Sequence, residues 1–290
     1  MKKTYSICIA NYNMSESLIA SLESVLNQID ERYEVIVVDD GSADNSVEKL
    51  LQLRQKYADL RVIPLLRDSR RKLGETRNIS IRAARGKYVI LHIDADDIWE
   101  PYINSFAKIY HELEKRLEID DFMLSGRQIQ MATKDLLMKN PYKNIYYTED
   151  RILWNDLAVL GKLISINHKP FFRRIPQKFP RKRFRKILKS QFSSMLASFM
   201  YTPSFFKTLK EYINRIFSKS DWSIINSTFN LIILLPCFLL GFILRRPLIS
   251  QSRRNFRSLT MIDIKEIESN SIEKHGIIDL EEEEKKIYFM

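Results

Sequence analysis

Short apolar runs alternate with segments of helical periodicity along residues 1–165. Tyr5–Ala10 and Tyr33–Asp40 are rich in aliphatic residues and have the length of buried strands. Between them, Leu18 and Leu22 belong to a series of apolar residues at helical spacing, which predicts an amphipathic helix. Strands that alternate with helices favour an α/β fold with a mainly parallel sheet covered by helices on both faces.

Carboxylates follow two of the predicted strands at the point where each strand ends. Asp39 and Asp40 close the second strand, and Asp94, Asp96 and Asp97 follow the apolar run in "ILHIDADDIW". Parallel strands bring these ends to one edge of the sheet, which is where ligands bind in such folds. Crowded carboxylates suit a hard divalent cation such as Mg²⁺ or Mn²⁺. The alternative is a solvated turn with a helix cap.

The second half of the chain differs in charge from the first. Residues 166–260 contain 19 Lys and Arg but only 2 Asp and Glu, within a chain whose formal net charge is +11. Phe, Tyr and Ile recur at helical spacing among these cations, as in helices that lie in a membrane interface. Binding to nucleic acid is the alternative for a basic surface, but the adjacent apolar segment favours an anionic membrane surface, and no nucleic-acid partner is expected.

Ile224–Leu244 is a run of 21 residues without a charge, long enough to cross a bilayer core of about 30 Å. We therefore predict a catalytic domain at 1–165, basic amphipathic interfacial helices at 166–222, a transmembrane helix at 223–246 and a polar tail at 247–290. A helix buried in a soluble fold and a re-entrant hairpin broken at Pro236 are the alternatives. The two cysteines lie in apolar runs and exclude a disulfide framework.

Four segments in the first half of the chain together resemble one known family. They are "SICIANYNMSESLIASLESVLNQ", "YEVIVVDDGSADNS", "GETRNISIRAARGKYVILHIDADDIWEP" and "YTEDRILW". This set is similar to the family-2 glycosyltransferases, which have the GT-A fold, and the resemblance extends over roughly Tyr5–Leu163. It implies transfer of a sugar from a nucleotide diphosphate sugar, with inversion at the anomeric carbon.

The resemblance also implies roles in binding the donor. Ala10 and Tyr12 would flank the nucleotide base, with Tyr12 stacking or packing on it. Asp40 would accept a hydrogen bond from the base, with Asp39 in support. Arg77 would approach the diphosphate, since a guanidinium suits phosphate oxygens.

Asp94 and Asp96 form the D-x-D motif of the family. The resemblance implies that Asp96 is the main ligand of Mn²⁺ or Mg²⁺, that Asp94 contributes to metal and nucleotide-sugar binding, and that Asp97 orients the loop. Thr148-Glu149-Asp150 is similar to the T-E-D motif of cellulose-synthase-like and lipid-linked members, which makes Asp150 the implied general base. The alternative for this motif is the ordinary preference of acids for the first turn of a helix.

The function expected from these observations is that of a metal-dependent inverting glycosyltransferase at the cell membrane, with its catalytic domain in the cytoplasm. The expected donor is GDP-mannose or a UDP-sugar, with mannose favoured as the hexose. The expected acceptor is linked to a polyprenyl or dolichol lipid. Two alternatives stay open, namely a membrane-associated transferase for capsule or other surface glycans, and a non-catalytic GT-A-like membrane scaffold.

Overall fold

A computed structural model describes residues 3–145, 148–176, 183–202, 204–217, 224–245 and 260–289. The strands are β1 (Tyr5–Asn11), β2 (Tyr33–Asp39), β3 (Leu60–Pro64), β4 (Tyr88–Leu91), β5 (Asp97–Trp99), β6 (Met123–Ser125), β7 (Gln130–Thr133), β8 (Leu163–Ile166), β9 (Phe172–Arg174) and β10 (Met261–Ile262). The helices are α1 (Leu18–Leu26), α2 (Ser46–Lys56), α3 (Leu73–Ala83), α4 (Ile103–Leu117), α5 (Lys134–Lys139), α6 (Glu149–Val159), α7 (Arg183–Met200), α8 (Phe205–Phe217), α9 (Ile224–Ile243), α10 (Ile264–His275) and α11 (Glu282–Tyr288).

The described strands form one large sheet and one small sheet. The large sheet has the order β10-β8-β6-β7-β4-β1-β2-β3, and the small sheet pairs β5 with β9. Within the large sheet, β7 runs antiparallel to β4 and β6, while the other described pairs are parallel. The predicted α/β fold with a mainly parallel sheet is therefore confirmed.

Side chains of neighbouring residues in the central strands enter two different cores. On β1, Ile7 and Ile9 face the core formed with α1, α2 and α4, whereas Cys8 faces the core formed with α3, α5 and α6. Alternation along an extended strand produces this division. Both faces are buried, which explains why the strands read as continuous apolar runs.

One expected strand differs in the structure. The segment "DFMLSGRQIQM", which reads as a single strand, folds back on itself as the antiparallel pair β6–β7. Gly126 lies in the connection, where a Cβ would come within 2.5 Å of the His168 ring. The turn therefore places residues 126–130 at the same edge of the sheet as the end of β4.

The C-terminal segment is not a separate polar tail over its described part. Met261 pairs with Ser165, which adds β10 to the edge of the large sheet. Ile278 and Tyr288 are fully buried in the core beside α4, and the Tyr288 hydroxyl donates to the carbonyl of Tyr102 at 3.0 Å. Residues 261–289 thus belong to the α/β fold, although charges at spacing typical of a solvated segment obscure this in the sequence.

Helices α7, α8 and α9 form a unit with a small core of its own. Met195 and Phe199 from α7 pack against Ile233 and Cys237 from α9, with α8 contributing Phe205. Cys8 and Cys237 are both buried free thiols, as expected.

The prediction of a transmembrane helix at residues 223–246 is not supported. A helix does form there, and Pro236 lies within it. Over the part of the chain that the structure describes, however, no helix has both the length and the apolar character needed to cross a membrane. One side of α9 supplies part of the core of the three-helix unit through the buried Ile233, Leu234 and Cys237, which accounts for the apolar residues on that side.

Candidate active site

The ends of β1 and β2 meet at the edge of the sheet where the site lies. Asn11 pairs in register with Asp39, and its amide donates to the Asp39 carboxylate at 2.6 Å. Asp39 also accepts from the backbone nitrogen and the hydroxyl of Ser42, at 2.8 and 2.6 Å. Asp39 is fully buried, so its contacts here fix the loop that follows β2.

Asp40 lies beside two cations. Its carboxylate accepts from Arg67 and, at 2.5 Å, from Nε of Arg71. Gly41 follows with a φ of 70°, and a Cβ at that position would come 2.6 Å from the backbone nitrogen of Arg67. The loop thus needs glycine, both for its left-handed backbone and for the close approach of residue 67. The predicted contact between Asp40 and a nucleotide base stays a prediction.

Ala10 and Tyr12 line a cavity of about 280 Å³, which we call the donor cavity. Arg77, Asp94 and Asp96 also line it. The Tyr12 ring is 46% exposed, and the Arg67 guanidinium lies 4.4 Å from its centroid. The structure therefore brings five of the seven residues expected to contact nucleotide or metal to this cavity, and Asp39 and Asp40 are the two that do not line it.

Arg77 is held inside the site by a group of buried partners. Its Nη1 atom lies 2.6 Å from Nε2 of His92, and its Nε atom lies 3.7 Å from the Glu149 carboxylate. The guanidinium also stands 5.6 Å from the centroid of the Tyr142 ring. Burial and the nearby Arg77 charge lower the pKa of His92 well below its usual value, so the imidazole is neutral and accepts from Arg77.

Glu149 is the buried member of the T-E-D motif. Its side chain is 4% exposed, and burial raises its pKa to about 7, although the neighbouring Arg77 opposes the shift. A carboxylate this close to a buried guanidinium fixes the position of the cation. Glu149 therefore positions Arg77, which places the cation in the lining of the donor cavity.

Asp94, Asp96 and Asp97 each contribute one carboxylate oxygen to a group whose atoms lie within 4.8 Å of one another. Asp97 is fully buried, and its carboxylate accepts from Arg174 Nε at 3.1 Å and Nη2 at 3.4 Å. Arg174 also lies 3.6 Å from Asp94 and 3.8 Å from Asp96. This donor set of hard oxygens fits Mg²⁺ or Mn²⁺. Because Asp97 is committed to Arg174, Asp94 and Asp96 are the residues that would hold the ion.

A larger cavity of about 960 Å³ adjoins the donor cavity, and we call it the acceptor cavity. The two share Arg77, His92 and Asp94 in their linings. Asp150 lines the acceptor cavity from the first turn of α6, and Tyr201, directly after α7, also lines it. Asp150 thus lines the acceptor cavity, Asp96 lines the donor cavity, and Asp94 lines both.

Several residues of the site are not apparent from the sequence. Tyr142 lies in a loop without a motif, and Arg174 is 77 positions from Asp97 in the chain. Gln128 donates from Nε2 to Asp94 at 2.7 Å and adopts a φ of 61°. His92 could be noticed in the sequence, because it interrupts the apolar run before the D-x-D. In the structure it has a positive φ of 64°, as Gln128 also does.

The structure has an α/β fold with a candidate site at the carboxyl ends of its parallel strands, and comparison with known proteins gives the family. The family model described as Glycosyl transferase family 2 matches residues 6–217. The chain therefore belongs to glycosyl transferase family 2.

Curated relatives match shorter parts of the chain. One is the UDP-Glc:alpha-D-GlcNAc-diphosphoundecaprenol beta-1,3-glucosyltransferase WfgD of Escherichia coli, 33% identical over 152 residues, which are 52% of this chain and 54% of the relative. Another is the poly(ribitol-phosphate) beta-glucosyltransferase of Bacillus spizizenii, 40% identical over 104 residues, which are 35% of this chain and 16% of the relative. The matches thus span about half or less of the length of these relatives.

Solved structures share the fold. Staphylococcus aureus TarS 1-349 in complex with UDP superposes with a TM-score of 0.50 and 17% identity, over 91% of this chain and 76% of that one. Mannosyltransferase PcManGT from Pyrobaculum calidifontis, in complex with GDP-Man and Mn²⁺, gives a TM-score of 0.51 and 14% identity, over 84% of this chain and 75% of that one. At these identities the likeness concerns the fold, which is consistent with GT-A.

Proposed function

We propose that this protein is a metal-dependent inverting glycosyltransferase that moves a hexose from a nucleotide diphosphate sugar to a lipid-linked acceptor at a membrane surface. The observation that carries the proposal is the junction of two cavities at Arg77, His92 and Asp94, with Asp150 on one side and Asp96 on the other. A single displacement needs this order of parts, with base, reacting carbon and leaving group in line.

The reaction assigns a role to each side chain at the junction. Asp150 accepts the proton of an acceptor hydroxyl while the hydroxyl oxygen forms a bond to the anomeric carbon of the donor. The bond from that carbon to the diphosphate oxygen breaks, and the nucleoside diphosphate leaves with the electron pair. Arg77, held by Glu149 and His92, lies where it stabilises the charge that develops on the diphosphate.

A divalent cation held by Asp94 and Asp96 would supply further stabilisation of the leaving group's negative charge. Gln128 and Arg174 orient the two carboxylates, because they contact Asp94 at 2.7 Å and Asp96 at 3.8 Å. A carboxylate offers about four acceptor positions, so neither contact by itself uses the whole coordinating capacity of the side chain.

The names of similar proteins support the two substrate classes at a coarse level. The Escherichia coli relative is named for UDP-glucose and a diphosphoundecaprenol acceptor, while the structure from Pyrobaculum calidifontis contains GDP-Man. Mannose is favoured from the family resemblance. The transfer assay described below should therefore offer both mannose and glucose donors. A polyprenyl diphosphate acceptor is proposed in preference to a dolichol one on the strength of the bacterial relative.

The three-helix unit presents an apolar surface that supports membrane docking. An exposed stripe without charges runs along α9 and faces away from α7. The exposed Phe206 on α8 lies beside this stripe, because Phe206 and Phe242 both contact the Phe205 ring. We call this surface the α9 apolar face; on α9 it consists of Leu231, Ile232, Leu235, Leu239, Phe242 and Ile243.

Cations border the α9 apolar face. Lys207, Lys210 and Arg245 are exposed on α8 and at the end of α9. Apolar residues beside Lys and Arg are typical of helices that lie in the interface of an anionic membrane. The basic segments at 177–182 and 246–259, which also motivate this proposal, lie outside the described residues. In this arrangement the catalytic domain would sit at the cytoplasmic surface of the cell membrane.

The direct test is a transfer assay with purified full-length protein, short polyprenyl-linked acceptors, and either UDP-glucose or GDP-mannose. Transfer should require Mn²⁺ or Mg²⁺ and stop in EDTA. A water-soluble saccharide that serves as well as every lipid-linked acceptor would favour a surface-glycan transferase instead. Failure to transfer or hydrolyse any donor would favour a non-catalytic scaffold.

A further inference from the structure

The acceptor cavity offers both neutral and charged groups to a ligand. Its lining includes a buried neutral amide, that of Gln130, which is 2% exposed. It also includes two cations outside the junction, the exposed Arg151 and the partly exposed Arg127. A ligand with a hydrogen-bonding sugar and an anionic part fits these two kinds of group.

Gln130 has an unused hydrogen-bonding atom. It is the first residue of β7, paired with Leu91 at the end of β4, so it stands at the edge of the sheet that forms the site. Its Oε1 atom is buried and has no hydrogen-bond partner among the residues that the structure describes. Buried polar atoms are almost always paired in folded proteins, so an orphan in a cavity indicates a ligand that completes it.

The Oε1 atom of Gln130 accepts hydrogen bonds, so the ligand must offer a hydrogen-bond donor. A sugar hydroxyl donates a proton to an amide oxygen, whereas a phosphate anion has only acceptors to present at neutral pH and would be repelled by it. Trp154 also lines the acceptor cavity, and its flat ring suits the apolar face of a sugar. The orphan oxygen of Gln130 is therefore suited to a sugar hydroxyl and not to a phosphate.

The position of the base leads to the same conclusion. Asp150 lines this cavity beside the junction. A hydroxyl needs a base because it is a poor nucleophile until its proton is removed. A phosphate oxygen is already anionic, so it gains nothing from a carboxylate and is repelled by one.

We propose that Gln130 accepts a hydrogen bond from the acceptor sugar, so that the nucleophile is a hydroxyl of a sugar already attached to a lipid diphosphate and not a bare lipid phosphate. This inference rests on the proposed function and narrows its acceptor class. In the bound acceptor, the sugar lies against Gln130 and Trp154, and the diphosphate lies near Arg127 and Arg151. Gln130 is a specificity-determining residue for the acceptor, with no part in donor binding.

The first test uses the unmodified protein with two lipid acceptors of equal chain length. One is polyprenyl phosphate, and the other is polyprenyl diphosphate carrying one sugar, tried with glucose, N-acetylglucosamine and galactose. At least one sugar-bearing acceptor should be used at least ~10-fold more efficiently than polyprenyl phosphate. Preferential transfer to polyprenyl phosphate would overturn the inference while leaving the proposed glycosyl transfer intact, because both arms require the same donor chemistry.

The second test is a thermodynamic cycle that combines Gln130→Met with a set of acceptors, each of which lacks one hydroxyl. In the unmodified protein, loss of the hydroxyl that Gln130 contacts should raise the acceptor KM ~10-fold, and Gln130→Met should raise it by a similar factor. In Gln130→Met, the same deoxy acceptor should cause no further increase. Donor KM and donor hydrolysis should stay unchanged in the variant.

Gln28→Met is the matched control, since it removes an amide that lines neither cavity. The control should leave acceptor KM within twofold of the unmodified protein. Independent effects of Gln130→Met and of every deoxy acceptor would show that Gln130 does not contact the sugar. A rise in donor KM instead of acceptor KM would place Gln130 in the donor site and contradict the assignment.

Discussion

Arg174 donates from Nε to the carboxylate of Asp97 at 3.1 Å, which ties strand β9 to the turn that carries the D-x-D motif. Asp97 is fully buried, whereas the Arg174 side chain is 56% exposed. The guanidinium therefore sits at the surface of an acidic cluster as its counter-ion. Its contacts with Asp94 and Asp96 are longer, at 3.6 and 3.8 Å, so those two carboxylates are held less tightly.

Replacing Arg174 by Met should destabilise the fold, because it leaves the buried Asp97 carboxylate without its charged partner. We expect a loss of about 2 kcal/mol in the free energy of unfolding without metal, measured by urea denaturation. Saturating Mn²⁺ should reduce the loss, since a cation bound to the cluster replaces part of the missing charge. Arg173→Met on the same strand is the control. Equal stability of the two variants without metal would show that the ion pair is unimportant.

Much of this arrangement could be predicted from the sequence, because strand ends in a parallel sheet converge. The alternation of apolar runs and helices located β1, β2 and β4, and the acids after them coincide with the observed edge. Asp94, Asp96 and Asp150 line connected cavities, as the motifs indicated. Local pattern carries this information, since each motif directly follows the element that positions it.

The residues that could not be predicted reach the site through tertiary contacts. Arg174 arrives because β9 pairs with β5, and Tyr142 arrives from a loop that packs on Asn78. The C-terminal strand and helices pack against the sheet, although no periodicity in their sequence identifies the sheet as their partner. The apolar run at 224–244 was ambiguous, because length and hydropathy alone do not distinguish a helix that covers a small core from one that crosses a bilayer.

Glu149 should make the stability of the protein depend on pH. Burial raises its pKa from 4.5 to about 7, so the folded protein binds this proton more tightly than the unfolded chain does. The contribution to stability is therefore fully present below pH 4.5 and is lost as pH rises toward 7. The shift corresponds to about 3 kcal/mol at most.

Glu149→Gln is the variant that checks this dependence, since glutamine resembles the protonated acid in shape and charge. Between pH 5 and pH 8, the unmodified protein should lose more unfolding free energy than the variant does in parallel urea titrations. Identical pH profiles for the two proteins would show that Glu149 titrates normally in the fold. Asp150, the next residue in the chain, should be kept as aspartate in both proteins.

Replacing Asp150 by Asn should remove the proposed base while keeping the size of the side chain. We expect kcat for transfer to fall by about 10²- to 10⁴-fold, with donor KM little changed. Asp156→Asn is a matched control, because Asp156 lies on the same helix but lines neither cavity. Transfer by the Asp150 variant at the rate of the control would remove Asp150 from the mechanism.

The α9 apolar face should bind anionic lipid. Ile232→Ser and Phe242→Ser, at positions 65% and 64% exposed, should each weaken binding to phosphatidylglycerol vesicles by at least ~10-fold, because each removes an apolar side chain that would enter the interface. Leu51→Ser is the control, since Leu51 is exposed on α2 in the catalytic domain. Vesicle binding that responds equally to all three substitutions would argue against this face as the docking surface.

The anomeric configuration of the product tests the central claim most directly, because one displacement between Asp150 and the leaving diphosphate must invert the reacting carbon. The purified protein would be given an α-linked nucleotide sugar and a lipid diphosphate acceptor, and the new linkage would be read from the one-bond coupling between the anomeric carbon and its proton. We predict a β-linked glucose or mannose. An α-linked product would contradict a single displacement with Asp150 as the base.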